Sequence, residues 1–146
     1  MFSYSGLCNY LKVASIIFAL QGLFWALYGS FDPFGLYDSF FAKSFYQLPE
    51  LPDDVEKAKR FLLVPFGATD LGYFILMYFI TRYPLANRER WAYRALVWAF
   101  LSWLIVDTAM SLIYGAYFNV LIVNLPCLVL LGLPLFLLRS HFIERQ

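Results

Sequence analysis

Apolar residues dominate four long stretches of the chain, about Leu11 to Tyr28, Phe61 to Thr81, Ala95 to Tyr114 and Val120 to Leu138. Each has about the 20 residues that a helix needs to cross the hydrocarbon core of a bilayer. Only helices or closed barrels satisfy the backbone in lipid, and continuous apolar runs of this length exclude barrel strands. The pattern predicts an all-α integral membrane protein, an antiparallel four-helix transmembrane bundle that forms one domain over residues 1–146. The start, MFSYSGLCNYLK, has no positively charged n-region and no small-residue cleavage site follows the first run. That run is therefore read as a span.

The connections differ in character. Phe31 to Tyr46 carries seven aromatics interleaved with Asp38, Ser39, Lys43 and Ser44, a composition suited to an interfacial loop in the headgroup layer. Pro49 and Pro52 then break the chain, and Asp53 with Glu56 three positions on resembles a capping box. Glu56 and Arg60 form a favourable i,i+4 pair. The next connection, RYPLANRERW, is basic and polar, with Pro84 expected to end the second helix. Only a few residues near Gly115 to Asn119 join the third and fourth runs, which makes those helices antiparallel neighbours. Ser15, Ala19, Gly22, Ala26 and Gly29 give the first span a small-residue stripe for close packing, against this chain or a second subunit.

Charge sets an orientation. With the amino terminus inside, Lys12, Arg82, Arg88, Arg90, Arg94, Arg139 and Arg145 share one side with only Glu89 and Glu144. The other side carries Lys43, Lys57, Lys59 and Arg60 against six acids from Asp32 to Glu56. Lys/Arg bias therefore places both termini in the cytoplasm, although Lys57, Lys59 and Arg60 run counter to it. At 62% hydrophobic and 14% charged, the composition departs from the soluble norm, and the net charge of +1 supplies no field for nucleic acid. Cys8, Cys127 and a single histidine, His141, offer neither a disulfide framework nor metal or haem spacing, so no metal and no cofactor is expected.

Two aspartates, Asp70 and Asp107, interrupt the apolar runs. A carboxylate at membrane depth costs roughly 2.5 to 3.5 kcal/mol and persists only if paired, protonated or turned to a polar cavity. Counted from the ends of their spans, the two lie roughly 14 Å and 10 Å below the outer face. Gln21 and Asn124 fall in the same half, so every span contributes a polar group there. Asp107, Thr108 and Ser111 form a polar stripe that continues to Gly115. Thr69, Asp70 and Tyr73 cluster with Gly67 and Gly72, while Gln21, Trp25 and Tyr28 follow i,i+4,i+7. Pro126 and Pro134 free backbone carbonyls near Asn124 and Leu130.

Such a layer can be interhelical glue, at about 0.6 kcal/mol per hydrogen bond. Two acids rather than amides, with no intramembrane Lys, Arg or His to pair them, need a protonated acid, a shared proton, a bound cation or an external partner to complete the layer. Three versions stay open. The layer can hold an amphipathic amine or lipid-like molecule against Asp70 or Asp107, with Trp25, Phe66 and Trp103 as apolar walls. It can relay protons or a small cation as a carrier does. The two acids can also act as general acid and base in a lipid-modifying, isomerase-like enzyme. A fourth use, docking into a larger membrane assembly or a homo-oligomer, employs the same layer without chemistry. The leading expectation is non-enzymatic, ligand binding or docking, at Asp70, Asp107, Thr108, Ser111, Gln21, Trp25, Tyr28, Tyr73, Trp103, Asn119 and Asn124.

Trp103, Asp107, Thr108, Ser111, Gly115 and Asn119 fit the pattern W-x-x-x-D-T-x-x-S-x-x-x-G-x-x-x-N. With the FDPFGL turn and ERWAYRAL, they resemble a widespread group of small bacterial four-span proteins. That resemblance implies a bacterial inner-membrane location and the four-span architecture, and brings no activity with it. A looser likeness, to the emopamil-binding protein and sigma-2 receptor superfamily, rests on four helices and buried acids. The histidine that a sterol isomerase of that kind uses is missing from every span.

Overall fold

The computed structural model describes residues 3–29, 32 and 34–143. Phe31 and Pro33 of the FDPFGL turn, and the charges of Glu144 and Arg145, lie outside the described residues. The helices follow as α1 (Tyr4–Tyr28), α2 (Leu36–Tyr46), α3 (Asp53–Leu85), α4 (Arg90–Ile113) and α5 (Tyr117–Phe142). All but α2 are long and apolar enough to cross a membrane, so the chain is the all-α antiparallel bundle that its hydrophobic pattern predicts, but the connection expected as an interfacial loop is helical over α2. This architecture fits a multi-pass membrane protein. One end of the bundle carries both termini and the α3–α4 turn, and the other carries α2 and the α4–α5 turn.

Each span outruns its apolar core because polar residues start and stop it. The Ser3 hydroxyl accepts the Gly6 amide at 3.1 Å to open α1, and Gly29 ends it in the left-handed conformation at φ 65°. Pro52, extended at φ −57° and ψ 146°, takes the N-cap position of α3, so Asp53 is the first helical residue and the expected capping box does not form. Asp53, Asp54 and Glu56 still place negative charge against the positive end of the helix dipole. Glu56 turns to Arg60 instead, at 2.5 Å.

Pro84 does not stop α3. The helix widens into a π-helical turn at Thr81–Leu85 and ends one residue past the proline, after which Arg88 takes a left-handed conformation. The same device recurs in α5, where π-turns at Val120–Asn124 and Leu128–Gly132 precede Pro126 and Pro134. Proline removes an i→i−4 hydrogen bond, and a widened turn lets neighbouring amides bond one carbonyl further back.

The closest packing joins α1 to α3. A Cβ on Gly67 would lie 2.5 Å from the Gly22 carbonyl oxygen, and one on Gly22 would lie 2.6 Å from the Leu71 nitrogen. Backbone meets backbone at this crossing, which only glycine permits. Ala26 and Gly29 extend the seam to Arg60, so much of the small-residue stripe of α1 is used within the chain. On its other side α1 meets α5, and α5 meets α4. The π-turn Thr81–Leu85 touches both α1 and α4 and closes the ring at the terminal end.

Leu7, Leu11, Phe74, Met77, Leu85, Leu96, Phe100, Leu131, Leu135 and Leu138 fill that end. It is sealed by rings: Tyr93 stacks on Phe142 at 4.7 Å, the Tyr4 hydroxyl donates to the Leu85 carbonyl, and the Arg88 guanidinium lies 4.5 Å above the Tyr4 ring. Replacing Gly67 with leucine forces this crossing apart and is expected to lower stability by about 3 kcal/mol, read by denaturant titration in detergent. Gly72→Ala, where an added Cβ meets nothing within 4 Å, is expected to stay within about 0.5 kcal/mol.

Candidate functional site

The motif around Asp107 is a hairpin clasp. Gly115, at φ 71°, turns the chain after α4, and the Ala116 amide donates to the Ser111 carbonyl at 2.8 Å. This brings Asn119 of α5 back over the face on which Asp107 and Ser111 lie one helical turn apart. The Asn119 side-chain amide donates to Asp107 Oδ2 and to Ser111 Oγ, both at 2.9 Å. A second bond follows one turn deeper, where Asn124 Nδ2 donates to Thr108 Oγ1 at 2.8 Å. The sequence interval between Asp107 and Asn119 is therefore set by one turn of α4, the glycine turn and the start of α5.

The clasp is incomplete on the acceptor side. Asn124 is 2% exposed and its Oδ1 has no hydrogen-bond partner among the described residues. Asp70, half-buried on α3, accepts no hydrogen bond among the described residues. Cys127, three residues beyond Asn124 on α5, lies within the electrostatic range of both Asp70 and Asp107. Among the described residues no three His, Cys, Asp or Glu side chains gather as metal ligands.

A roof lies over the clasp. Asp32 receives the Leu36 amide at 3.0 Å and the Asp38 amide at 2.9 Å, which fixes the start of α2 after the left-handed Gly35. Phe118, next to Asn119, is buried beneath α2 and meets Tyr37 edge-on at 5.2 Å and Phe40 in a stack at 6.4 Å. From the other side, buried Lys59 of α3 places its ammonium 2.6 Å from Asp38 Oδ1 and 5.9 Å from the centre of the Phe41 ring. The sequence marks Lys59 only as one of three cations that run against the charge bias, and Phe118 only by its place beside Asn119.

The remaining predicted residues spread around this centre. Trp25 lies on the α1–α3 seam against Phe66 at 5.2 Å, and Tyr28 is 65% exposed with its ring beside Phe24. Gln21 is half-buried and makes no side-chain hydrogen bond among the described residues. Tyr73 packs edge-on against Phe74 at 5.0 Å, and Trp103 sits 6.0 Å from Phe100. Thr69 is exposed and donates to the Pro65 carbonyl of its own helix. The structure therefore joins Asp107, Ser111 and Asn119, and Thr108 with Asn124. It leaves Gln21, Trp25 and Tyr28 outside that network.

No family model matches this sequence, and no curated protein or solved structure is significantly similar to it.

Two outcomes follow from this geometry. Asn119→Leu strands the Asp107 and Ser111 acceptors and is expected to cost about 1 to 3 kcal/mol, measured by unfolding in detergent. The Tyr37 phenol is pushed above its ordinary value, first by burial and then by the fields of Asp107 and Asp38. Since the folded value exceeds the unfolded one of about 10, the stability carried by the neutral phenol is complete below that pH and is lost above it. Tyr37→Phe should flatten the alkaline decline in melting temperature relative to the parent protein.

Proposed function

We propose that this chain is a non-enzymatic protein of a bacterial inner membrane, with both termini cytoplasmic, that binds a small amphipathic cation in the layer between Asp70, Asp107 and Asn124. One observation carries the reading: among the described residues the layer leaves acceptors unmatched. Asp107 receives one side-chain amide, Asp70 receives no hydrogen bond, and the buried Asn124 oxygen has no partner there. An unpaired buried acceptor costs about 1 to 3 kcal/mol, and carboxylates at membrane depth demand compensation. A protonated amine supplies both the charge and the N–H donors that these groups lack. The Lys/Arg asymmetry of the connections supports the orientation, and the resemblance of the Trp103 to Asn119 segment supports the bacterial setting.

An apolar tail on the ligand suits the walls. Trp103, Phe100 and Tyr73 offer aromatic surface beside the acids, where cation–π attraction and apolar burial act together.

Dodecylammonium added at low concentration to protein in excess neutral detergent is expected to raise the melting temperature. Dodecyltrimethylammonium, equal in charge but without N–H donors, should do so less. Asp107→Asn retains an oxygen for the Asn119 amide, so the fold should persist while dodecylammonium affinity falls about 10- to 100-fold, the loss of one charge-assisted bond. Asp107→Leu should impair assembly as well. Equal stabilisation of the parent, Asp107→Asn and Asp70→Asn proteins by the amine rejects the reading.

A further inference from the structure

The geometry points to a lateral opening between α3 and α4, through which a single-chain amphipathic amine reaches the acidic layer from within the membrane rather than from water. The inference rests on the ligand reading above and adds the route and the seat of the ligand's chain.

Two observations carry it independently of charge. First, the ring of helices is incomplete. Packing runs from α3 to α1, from α1 to α5 and from α5 to α4, yet α3 meets α4 closely only through the π-turn Thr81–Leu85 at the terminal end. Toward α2, the two acid-bearing helices have no comparable packing against each other, and α3 has none against α5. Second, the end of the bundle beyond the layer is roofed. Lys59 with Asp38 fastens α2 to α3, and Phe118 among Tyr37, Phe40, Phe41 and Phe45 fastens it to α5. The direct path from the aqueous face is covered, and the α3–α4 side, where packing is least close among the described residues, is the route left for a ligand dissolved in lipid.

Helical register says what flanks the gap. Leu71 faces α1, so Tyr73 lies on the opposite flank of Asp70. Thr108 faces α5 through Asn124, so Trp103 lies on the opposite flank of Asp107. Helical register thus sets Tyr73 and Trp103, both half-buried, at the two sides of this route, each flanking its helix's acid. An ammonium at the acids leaves its chain running out between these rings. The other apolar furrow, about 310 Å³ between Ser15, Ala19, Leu71, Phe74 and Tyr78, lies on the α1–α3 seam and does not include the acids.

The test uses the full chain with Trp103 as its single tryptophan (Trp25→Phe, Trp91→Phe, Trp98→Phe), in phosphatidylcholine vesicles with or without bromine on the acyl chains. A single-Trp98 protein, whose ring is 69% exposed on the lipid-facing side, provides the full lipid-quenching reference, and circular dichroism checks that each variant folds. Brominated chains are expected to quench Trp103 at least twofold, acrylamide to quench it weakly, and dodecylammonium to restore the emission. That restoration should vanish in Asp70→Asn and Asp107→Asn. Trp103 emission untouched by brominated chains, or quenched mainly by acrylamide, overturns the lateral route. If dodecylammonium still stabilises the detergent-solubilised protein in that case, the binding reading survives without this route. Quenching by lipid that no amine relieves keeps the opening and rejects the amine as its occupant.

Discussion

Asn119 commits both hydrogens of one side-chain amide to α4, and the geometry of the layer follows from that bond pair. By holding Asp107 and Ser111 together it fixes where α5 starts, and so where Phe118 meets the roof and where Asn124 meets Thr108. In hydrocarbon the alternative to such bonds is an unsatisfied polar group, since no water is present to replace the partner. One amide therefore aligns two helices, anchors a third and leaves a carboxylate only partly compensated.

The two halves of the bundle obey different rules. The terminal half is a leucine and phenylalanine core closed by rings and by a π-turn, and packing alone accounts for it. The half toward α2 is held by glycine contact on one side, by amide clasps on another and by a lysine fastening a surface helix. Between 17% and 28% of each apolar window is buried, so most of the surface of every span faces lipid or partners and the polar groups are the exception that demands an explanation.

Much of this is legible in the chain itself. Span number, the antiparallel order and an aromatic segment at the interface follow from run length and aromatic interleaving, because these depend on local composition, whereas that segment reads as a loop and its helical form, α2, is not legible there. The pairing of Asp107 with Ser111 follows from helical period. What periodicity does not disclose is which partner crosses from another helix: Asn119 is visible as a polar residue near a turn, but its bidentate role depends on the left-handed Gly115. Proline placement misleads at Pro84 and Pro52, since a widened turn absorbs the first and the second displaces Asp53 from the cap. Trp25 and Tyr28 share a face with Gln21 in sequence, yet the glycine seam turns Trp25 to Phe66 and leaves Tyr28 outside.

The π-turn at Thr81–Leu85 has a mechanical consequence. It joins α3 and α4 at one end only, and it sits where regular helix bonding is already relaxed around Pro84. Away from that turn each helix is committed to a different neighbour, α3 to α1 through the glycine seam and α4 to α5 through the asparagine clasp, so the bundle is built as two hairpin-like pairs sharing a leucine base and a single widened hinge turn.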